Sequence, residues 1–160
     1  MTMQQMIDVI KKTRGFLLRM IEALSTEQLN HIPNGFNNNI IWNLGHLIAA
    51  QQGVCYLRQG HPARTTEAFF EAYRPGSKPG QPVSSAEIAA IKEMLFTTLD
   101  QLMEDYEAGL FNDYKPWTTR YGVELTNIGD AISFLQFHEG LHGGFITALK
   151  RVVEQQADLA

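Results

Sequence analysis

The chain has 160 residues, a formal net charge of −4 and 44% hydrophobic residues, a balance that is ordinary for a globular domain. The weakly acidic charge argues against the basic, phosphate-binding surface of a nucleic-acid-binding protein. The nearest approach to a basic stripe, Lys11, Lys12 and Arg14, is interpreted as the solvent-facing side of the first helix. We therefore expect one domain over residues 1–160 and no nucleic-acid partner.

The cysteine content and the start of the chain indicate the compartment. Cys55 is the only cysteine, so no internal disulfide is expected, and its apolar surroundings predict a buried core thiol. The first residues lack a basic region followed by an apolar run, and no apolar stretch of about 20 residues occurs. The sequence therefore favours a cytoplasmic protein with no membrane partner.

Apolar residues recur at three- and four-residue spacing in four segments, which predicts an all-helical protein. The second segment is apolar nearly all round, as expected of a helix inside a bundle. Capping boxes at Ser25 and Ser84 predict a short helical turn after the first helix and the start of the third. No segment shows the alternation of a half-buried strand, so no significant sheet is expected. The predicted helices are Thr2–Leu24, Asn38–Gln59, Ser85–Ala108 and Thr126–Gln155.

The lengths of the connections indicate how these helices are arranged. The link between the first and second helices is short, which predicts antiparallel neighbours. Residues 60–83 form a proline-rich crossover, with a short helix at 66–73, that is long enough to span a bundle about 30 Å tall. The second and third helices can then run parallel, which gives a four-helix bundle in up-down-down-up order with one long crossover.

Histidines occupy positions that the helical period assigns to the core. His138 and His142 lie on the inward stripe of the fourth helix, together with Phe145, and residues four apart project to the same side. His46 lies at a matching depth if the second helix runs antiparallel to the fourth. A buried imidazole without a partner costs about 1–3 kcal/mol. The convergence of His46, His138 and His142 therefore predicts a metal site, with rings bonded to the backbone or to one another as the alternative.

Two further histidines are interpreted as surface residues. His31 lies in a turn and His61 precedes Pro62, so neither is expected to be a metal ligand. Gly45 and Gly53 lie near His46 on the second helix and are expected to leave room for a neighbouring group.

Residues 138–142 read H-E-G-L-H and match H-E-x-x-H, the zinc-binding helix of metalloproteases. Two features argue against a protease. No strand is predicted that could align a peptide, and the carboxylates after His142 lie near the end of the chain. A third ligand from His46, far upstream, is a different architecture. Glu139 is a candidate base or supporting group, although the helical period places it on the flank, in solvent.

The motifs at 41–48 (I-W-N-L-G-H-L-I) and 138–146 (H-E-G-L-H-G-G-F-I), together with the turn at 24–29, resemble the DinB-like (DinB/YfiT) superfamily. The resemblance extends over residues 6–153. It implies an up-down-down-up four-helix bundle with one metal ligand from the second helix and two from the fourth. Carried over to this sequence, these ligands are the same three histidines. The resemblance also implies a divalent metal, with nickel and zinc both found in the family, and a homodimer.

Characterised branches of that superfamily transfer low-molecular-weight thiols or isomerise substrates with their help, and other members are described as metal-dependent hydrolases. Three neutral ligands leave the metal its full positive charge, which favours activation of a bound thiol or water. We therefore expect a thiol transferase that acts on a small electrophile, with a hydrolase or a non-catalytic metal-binding module as alternatives. Glu139 is the candidate proton acceptor and Asn43 a candidate hydrogen-bond partner at the rim. One departure bears on the reaction: the family often has x-Gly-Gln after the last histidine, whereas Phe145 follows Gly144 here.

Overall fold

The structure, a computed structural model, describes residues 1–157 and is mostly helical, as predicted. Two very short strands form an antiparallel hairpin that the sequence analysis did not anticipate. Over the described residues, no helix is both long enough and apolar enough to cross a membrane. The elements are α1 (Met3–Met20), α2 (Thr26–Asn30), α3 (Ile40–Cys55), α4 (Glu67–Tyr73), α5 (Ser85–Glu107), β1 (Trp117–Thr118), β2 (Glu124–Leu125) and α6 (Ile128–Ala157).

Local hydrogen bonds explain where the helices begin. The capping boxes predicted at Ser25 and Ser84 are both present and begin α2 and α5. At α6 the cap differs from the prediction. Asn127 rather than Thr126 accepts the backbone N–H of Asp130, at 3.0 Å, and Thr126 instead donates to the Asp130 carboxylate. The helix therefore begins at the residue after Asn127.

The four long helices do not pack in the order that their connections suggested. Both α1 and α3 lie against α5 and α6, and α1 is not a close neighbour of α3. The prediction that these two helices are neighbours was wrong because α2 lies within the connection between them. Residues 21–39 are thus long enough to carry the chain to a position that is not adjacent to α1.

The core surrounds α3, as the apolar character of that segment predicted. Every residue of α3 except Gly53 is buried, and Cys55 is fully enclosed. Phe145 was expected to face inward but is 39% exposed. In the case of Phe145 the inward position on that turn of α6 is taken by Ile146.

Candidate metal centre

His46 lies on α3 and is contacted by Trp42 of the same helix and by Tyr73 of α4. A Cβ atom at Gly45 would lie 2.4 Å from Cδ1 of Tyr73, so the glycine lets α4 pack directly on α3, as its small size predicted. The ring Nδ1 of His46 lies 2.7 Å from the carbonyl oxygen of Tyr73. A carbonyl only accepts, so Nδ1 carries the proton and Nε2 keeps its lone pair. Trp42 stacks on the imidazole with 4.8 Å between ring centroids.

His138 and His142 lie one turn apart on α6, with 4.5 Å between their ring centroids. Nδ1 of His142 lies 2.8 Å from Oδ1 of Asn43. The amide nitrogen of Asn43 donates to the Asn39 carbonyl, so its oxygen is the atom that accepts from His142. Nε2 of His142 therefore keeps its lone pair. Nδ1 of His138 is buried and has no hydrogen-bond partner within the described part of the chain.

The fold brings together the three histidines that the sequence singled out. One ring nitrogen from each of His46, His138 and His142 lies within 4.8 Å of the other two. We call this group the histidine cluster. The two histidines interpreted as surface residues lie elsewhere: His31 is exposed, and His61 packs edge-on against the ring of Phe111.

Burial keeps the histidine cluster uncharged. Desolvation is the largest of the causes that lower the pKa of each ring. At His138 and His142 neighbouring positive charges lower the pKa further, to about 3 for His138 and to about 4 for His142. The pKa of His46 is also lowered, by burial, although its bond to Tyr73 opposes the shift. Neutral rings have lone pairs available at pH 7, so protons compete little with a metal ion.

The donor set of the histidine cluster fits a divalent transition metal. Imidazole suits zinc and nickel, and three such ligands leave further coordination positions open. The buried, unpartnered Nδ1 of His138 shows that the cluster does not satisfy its own hydrogen-bonding needs. A cation bound through that nitrogen would supply the missing interaction.

The histidine cluster lines one side of a cavity of about 470 Å³. Much of the remaining wall is apolar and is contributed by α3, α4, the hairpin and α6. No carboxylate lines the cavity within the described residues, whereas two arginines do. The apolar part of the wall includes Trp42, Ala49, Ala50, Phe70, Trp117 and Phe134.

Glu139, next to His138, faces a different buried group. Both Glu139 and Arg14 were predicted to face solvent, and this was wrong: their side chains are 2% and 1% exposed and form an ion pair of 2.7 Å. Arg14 also donates to Oε1 of Gln51 and to the Leu95 carbonyl. Burial raises the pKa of Glu139, and the positive charge of Arg14 opposes that shift. Oε2 of Glu139 has no hydrogen-bond partner among the residues that the structure describes.

Sequence reasoning also missed Tyr73 and Arg120, which support and flank the site. Tyr73 contributes a backbone oxygen, and any residue has one, so its identity gave no signal. Arg120 lies in the turn between β1 and β2 and lines the cavity. Neither position follows from helical periodicity, since both depend on the path of a connection.

The fold and the site together define a helical protein with three converging imidazoles beside a cavity. The sequence pattern of the DinB superfamily matches residues 10–146, a span that contains the whole histidine cluster. The chain belongs to the DinB superfamily. No curated protein matched the sequence.

Proposed function

We propose that this protein binds a divalent metal ion, zinc or nickel, through His46, His138 and His142, and transfers a low-molecular-weight thiol to a small electrophile. The observation that carries the metal site is the meeting of three ring nitrogens within 4.8 Å, one ring having a buried, unpartnered nitrogen. The proposal of a thiol substrate rests on the chemistry of the cavity beside them.

The proposal includes an up-down-down-up bundle with a long crossover between α3 and α5. Contacts along the chain support parallel directions for α1 with α6 and for α3 with α5. They support antiparallel directions for α1 with α5 and for α3 with α6. For the parallel pairs, the contacts are Met6 with Gln136 and Leu17 with Gly143 between α1 and α6, and Gln51 with Thr98 and Tyr56 with Asp105 between α3 and α5. For the antiparallel pairs, they are Lys11 with Asp100 and Arg14 with Leu95 between α1 and α5, and Asn43 with His142 and His46 with His138 between α3 and α6.

A metal ion held by three neutral ligands supplies Lewis acidity, which lowers the pKa of a thiol that it binds. The chain's own thiol is unsuitable because Cys55 is fully buried and burial raises its pKa to about 12. The thiol substrate must therefore be a separate small molecule. In the overall transfer its sulfur bonds to the electrophilic carbon, its proton passes to solvent, and a leaving group departs with the bonding electrons.

Asn43 acts in this proposal as a positioning residue. It is buried rather than at the rim, and its amide oxygen fixes the tautomer of His142, so that Nε2 is the nitrogen left for the metal. The role of Glu139 as proton acceptor stays a prediction. Its Oε1 receives two hydrogen bonds from Arg14, and Glu139 is not among the residues that line the cavity.

Hydrolysis by an activated water is the competing reaction. A water nucleophile must lose a proton as it attacks, and a carboxylate within reach commonly accepts it. The described wall of the cavity offers none. This feature favours transfer of a thiol, which loses its proton more readily than water.

Metal analysis tests the site. We expect wild-type protein, purified without a histidine tag and exposed to Zn²⁺ or Ni²⁺, to retain about one ion per chain. His46→Ala, His138→Ala and His142→Ala should each lose most of it, whereas His61→Ala, outside the histidine cluster, should retain it. Equal, low metal content in all five proteins would mean that the cluster holds no metal.

An activity panel then tests the reaction. Metal-loaded protein is assayed against small electrophiles, esters and amides, with and without added thiols. Thiol-dependent turnover that is lost in His142→Ala and kept in Cys55→Ala supports the transferase. Turnover that ignores added thiol supports the hydrolase, and no turnover with a fully loaded site supports a non-catalytic module.

We also propose a homodimer, supported by apolar side chains on the outer faces of α1 and α6. Phe16, Phe137, Leu141 and Phe145 are between 39% and 57% exposed. Light scattering at micromolar concentration should give the mass of two chains, and Leu141→Glu should shift it toward one. A wild-type monomer under these conditions would contradict the proposal.

A further inference from the structure

Two arginines line the cavity that opens beside the histidine cluster. Arg58 follows α3, and Arg120 lies in the turn between β1 and β2. That turn is tightly closed. The N–H of Gly122 bonds to the carbonyl of Thr119 at 3.0 Å, and Gly122 takes a left-handed φ of 77°. The hairpin therefore fixes the backbone position of Arg120, whose side chain is exposed at the cavity.

Neither arginine forms an ion pair with a carboxylate of the described residues. Each guanidinium instead lies over an aromatic ring. Cζ of Arg58 is 4.7 Å from the ring centroid of Trp117, and Cζ of Arg120 is 4.9 Å from that of Tyr121. Arg120 also donates to the Tyr121 hydroxyl at 2.8 Å. Two positive charges thus face a cavity that has no negative side chain on its described wall.

A positively charged side chain close to a metal site weakens metal binding, so its position there requires an explanation. Arg120 lines the same cavity as all three rings of the histidine cluster. An arginine placed there is explained if its counter-ion arrives with the ligand. Guanidinium groups bind carboxylate and phosphate oxygens through paired hydrogen bonds, and a concave wall of one sign raises the local concentration of the opposite charge.

We propose that the cavity takes a small molecule with an apolar body and a terminal oxyanion, and that Arg120, assisted by Arg58, binds the oxyanion. The oxyanion is a carboxylate or a phosphate. The apolar body lies along Trp42, Phe70 and Phe134, and the other end of the molecule faces the histidine cluster. Only this last placement rests on the proposed function, because oxyanion binding by the arginines does not require the metal.

The protein carries its own reporter of occupancy. It has two tryptophans, Trp42 and Trp117, and both line the cavity. A ligand bound there should change the intrinsic fluorescence. The probes are phenylacetate, phenyl phosphate and the neutral benzyl alcohol, each titrated into metal-stripped and into zinc-loaded protein.

We expect at least one of the two anions to bind ten times or more tightly than benzyl alcohol in both forms of the protein. Arg120→Gln should reduce that preference about tenfold without changing the affinity for benzyl alcohol, and Arg120→Lys should restore part of it. Arg151→Gln, an exposed arginine near the end of α6, is the matched control and should behave as wild type. Circular dichroism of each variant verifies that its fold is intact.

Comparison of the two anions shows which oxyanion is recognised. Binding that depends on Arg120 for phenylacetate indicates a carboxylate, and for phenyl phosphate it indicates a phosphate. Equal affinity for all three probes, or no binding of any, would overturn the inference. Anion preference that appears only with zinc and survives Arg120→Gln would also overturn it, because the metal would then hold the anion and the proposed function would stand. Arg120-dependent anion binding in a protein that takes up no metal would have the opposite meaning: the inference would stand without the proposed function.

Discussion

His138 and Glu139 are consecutive residues of α6, and each faces a different buried polar group. His138 belongs to the histidine cluster. Glu139 belongs to what we call the arginine network, formed by Arg14, Glu139, Gln51 and Thr98. The arginine network contains donors and acceptors of both charges, and most of them pair within the protein. The histidine cluster presents the Nε2 lone pairs of His46 and His142, and Nδ1 of His138 has no hydrogen-bond partner among the described residues.

This difference separates a structural feature from a functional one. In the Arg14–Glu139 pair each charge is neutralised by the other, although Oε2 of Glu139 has no partner within the described residues. Removing one member leaves the other charge buried without its counter-charge. Three converging rings with depressed pKa values are incomplete, and they become satisfied only by a group from outside. Substitutions in the arginine network should therefore change stability, and substitutions in the histidine cluster should change what the protein binds.

The largest effect is expected for Arg14→Met. The change strands the Glu139 carboxylate in the core, and the free energy of unfolding should fall by about 3–5 kcal/mol in urea titrations. The double variant Arg14→Met/Glu139→Leu should recover much of that loss, because it removes both charges. Arg19→Met, an exposed position on the same helix, is the control and should stay within about 0.5 kcal/mol of wild type. A loss in Arg14→Met no larger than in this control would contradict the account of the network.

The histidine cluster should respond to metal rather than to substitution alone. With Zn²⁺ at about 100 times its dissociation constant, linkage predicts a gain of about 2.7 kcal/mol in wild-type stability. His138→Ala should show no gain, whereas His61→Ala should gain as much as wild type. Thermal unfolding with and without Zn²⁺ measures the difference. A gain retained in His138→Ala would place the metal elsewhere.

Gly45→Ala should affect both stability and metal binding. The new methyl group would overlap the buried ring of Tyr73, whose carbonyl orients His46. We expect a loss of about 1–3 kcal/mol on urea unfolding, together with weaker Zn²⁺ binding by calorimetry. Gly140→Ala is the matched helical control, because its methyl group would meet nothing within 4 Å and should raise helix stability slightly. Equal behaviour of the two variants would mean that Tyr73 yields without cost.

The smallest expected effect is on Zn²⁺ affinity, and it distinguishes the histidine cluster from the arginine network. Asn43→Ala removes the oxygen that orients His142 and should weaken Zn²⁺ binding roughly tenfold, a typical cost for the outer partner of a ligand. Thr98→Val removes a hydroxyl of the arginine network and should leave Zn²⁺ affinity unchanged, while it costs about 1 kcal/mol of stability. Calorimetric titration of both variants tests the contrast. Loss of metal affinity in Thr98→Val would show that the two groups are coupled.

The sequence predicted what is encoded locally or periodically. Helix starts at Ser25 and Ser84 follow from capping boxes within four residues, and the histidines were visible because imidazoles replaced apolar residues on a stripe. The same signal was present for Arg14, which lies between Ile10 and Leu17 on the buried side of α1.

Arg14 was nevertheless interpreted as a surface charge, because a buried arginine becomes favourable only when its partner is known. That partner, Glu139, is 125 residues away in sequence. The placements of Tyr73 and Arg120 depend likewise on the paths of residues 60–83 and of the hairpin. No local pattern encodes those paths.

The hydrogen bond that orients His46 affects which amino-acid substitutions the site can accept during evolution. Its acceptor is the main-chain oxygen of residue 73, which every substitution at that position keeps. The orientation of this ring thus depends on the course of the backbone and not on the identity of the side chain at position 73. Arg58 and Arg120, which line the same cavity, would act through their side chains. A single substitution can remove either guanidinium and with it the proposed preference for an oxyanion, while the orientation of His46 persists.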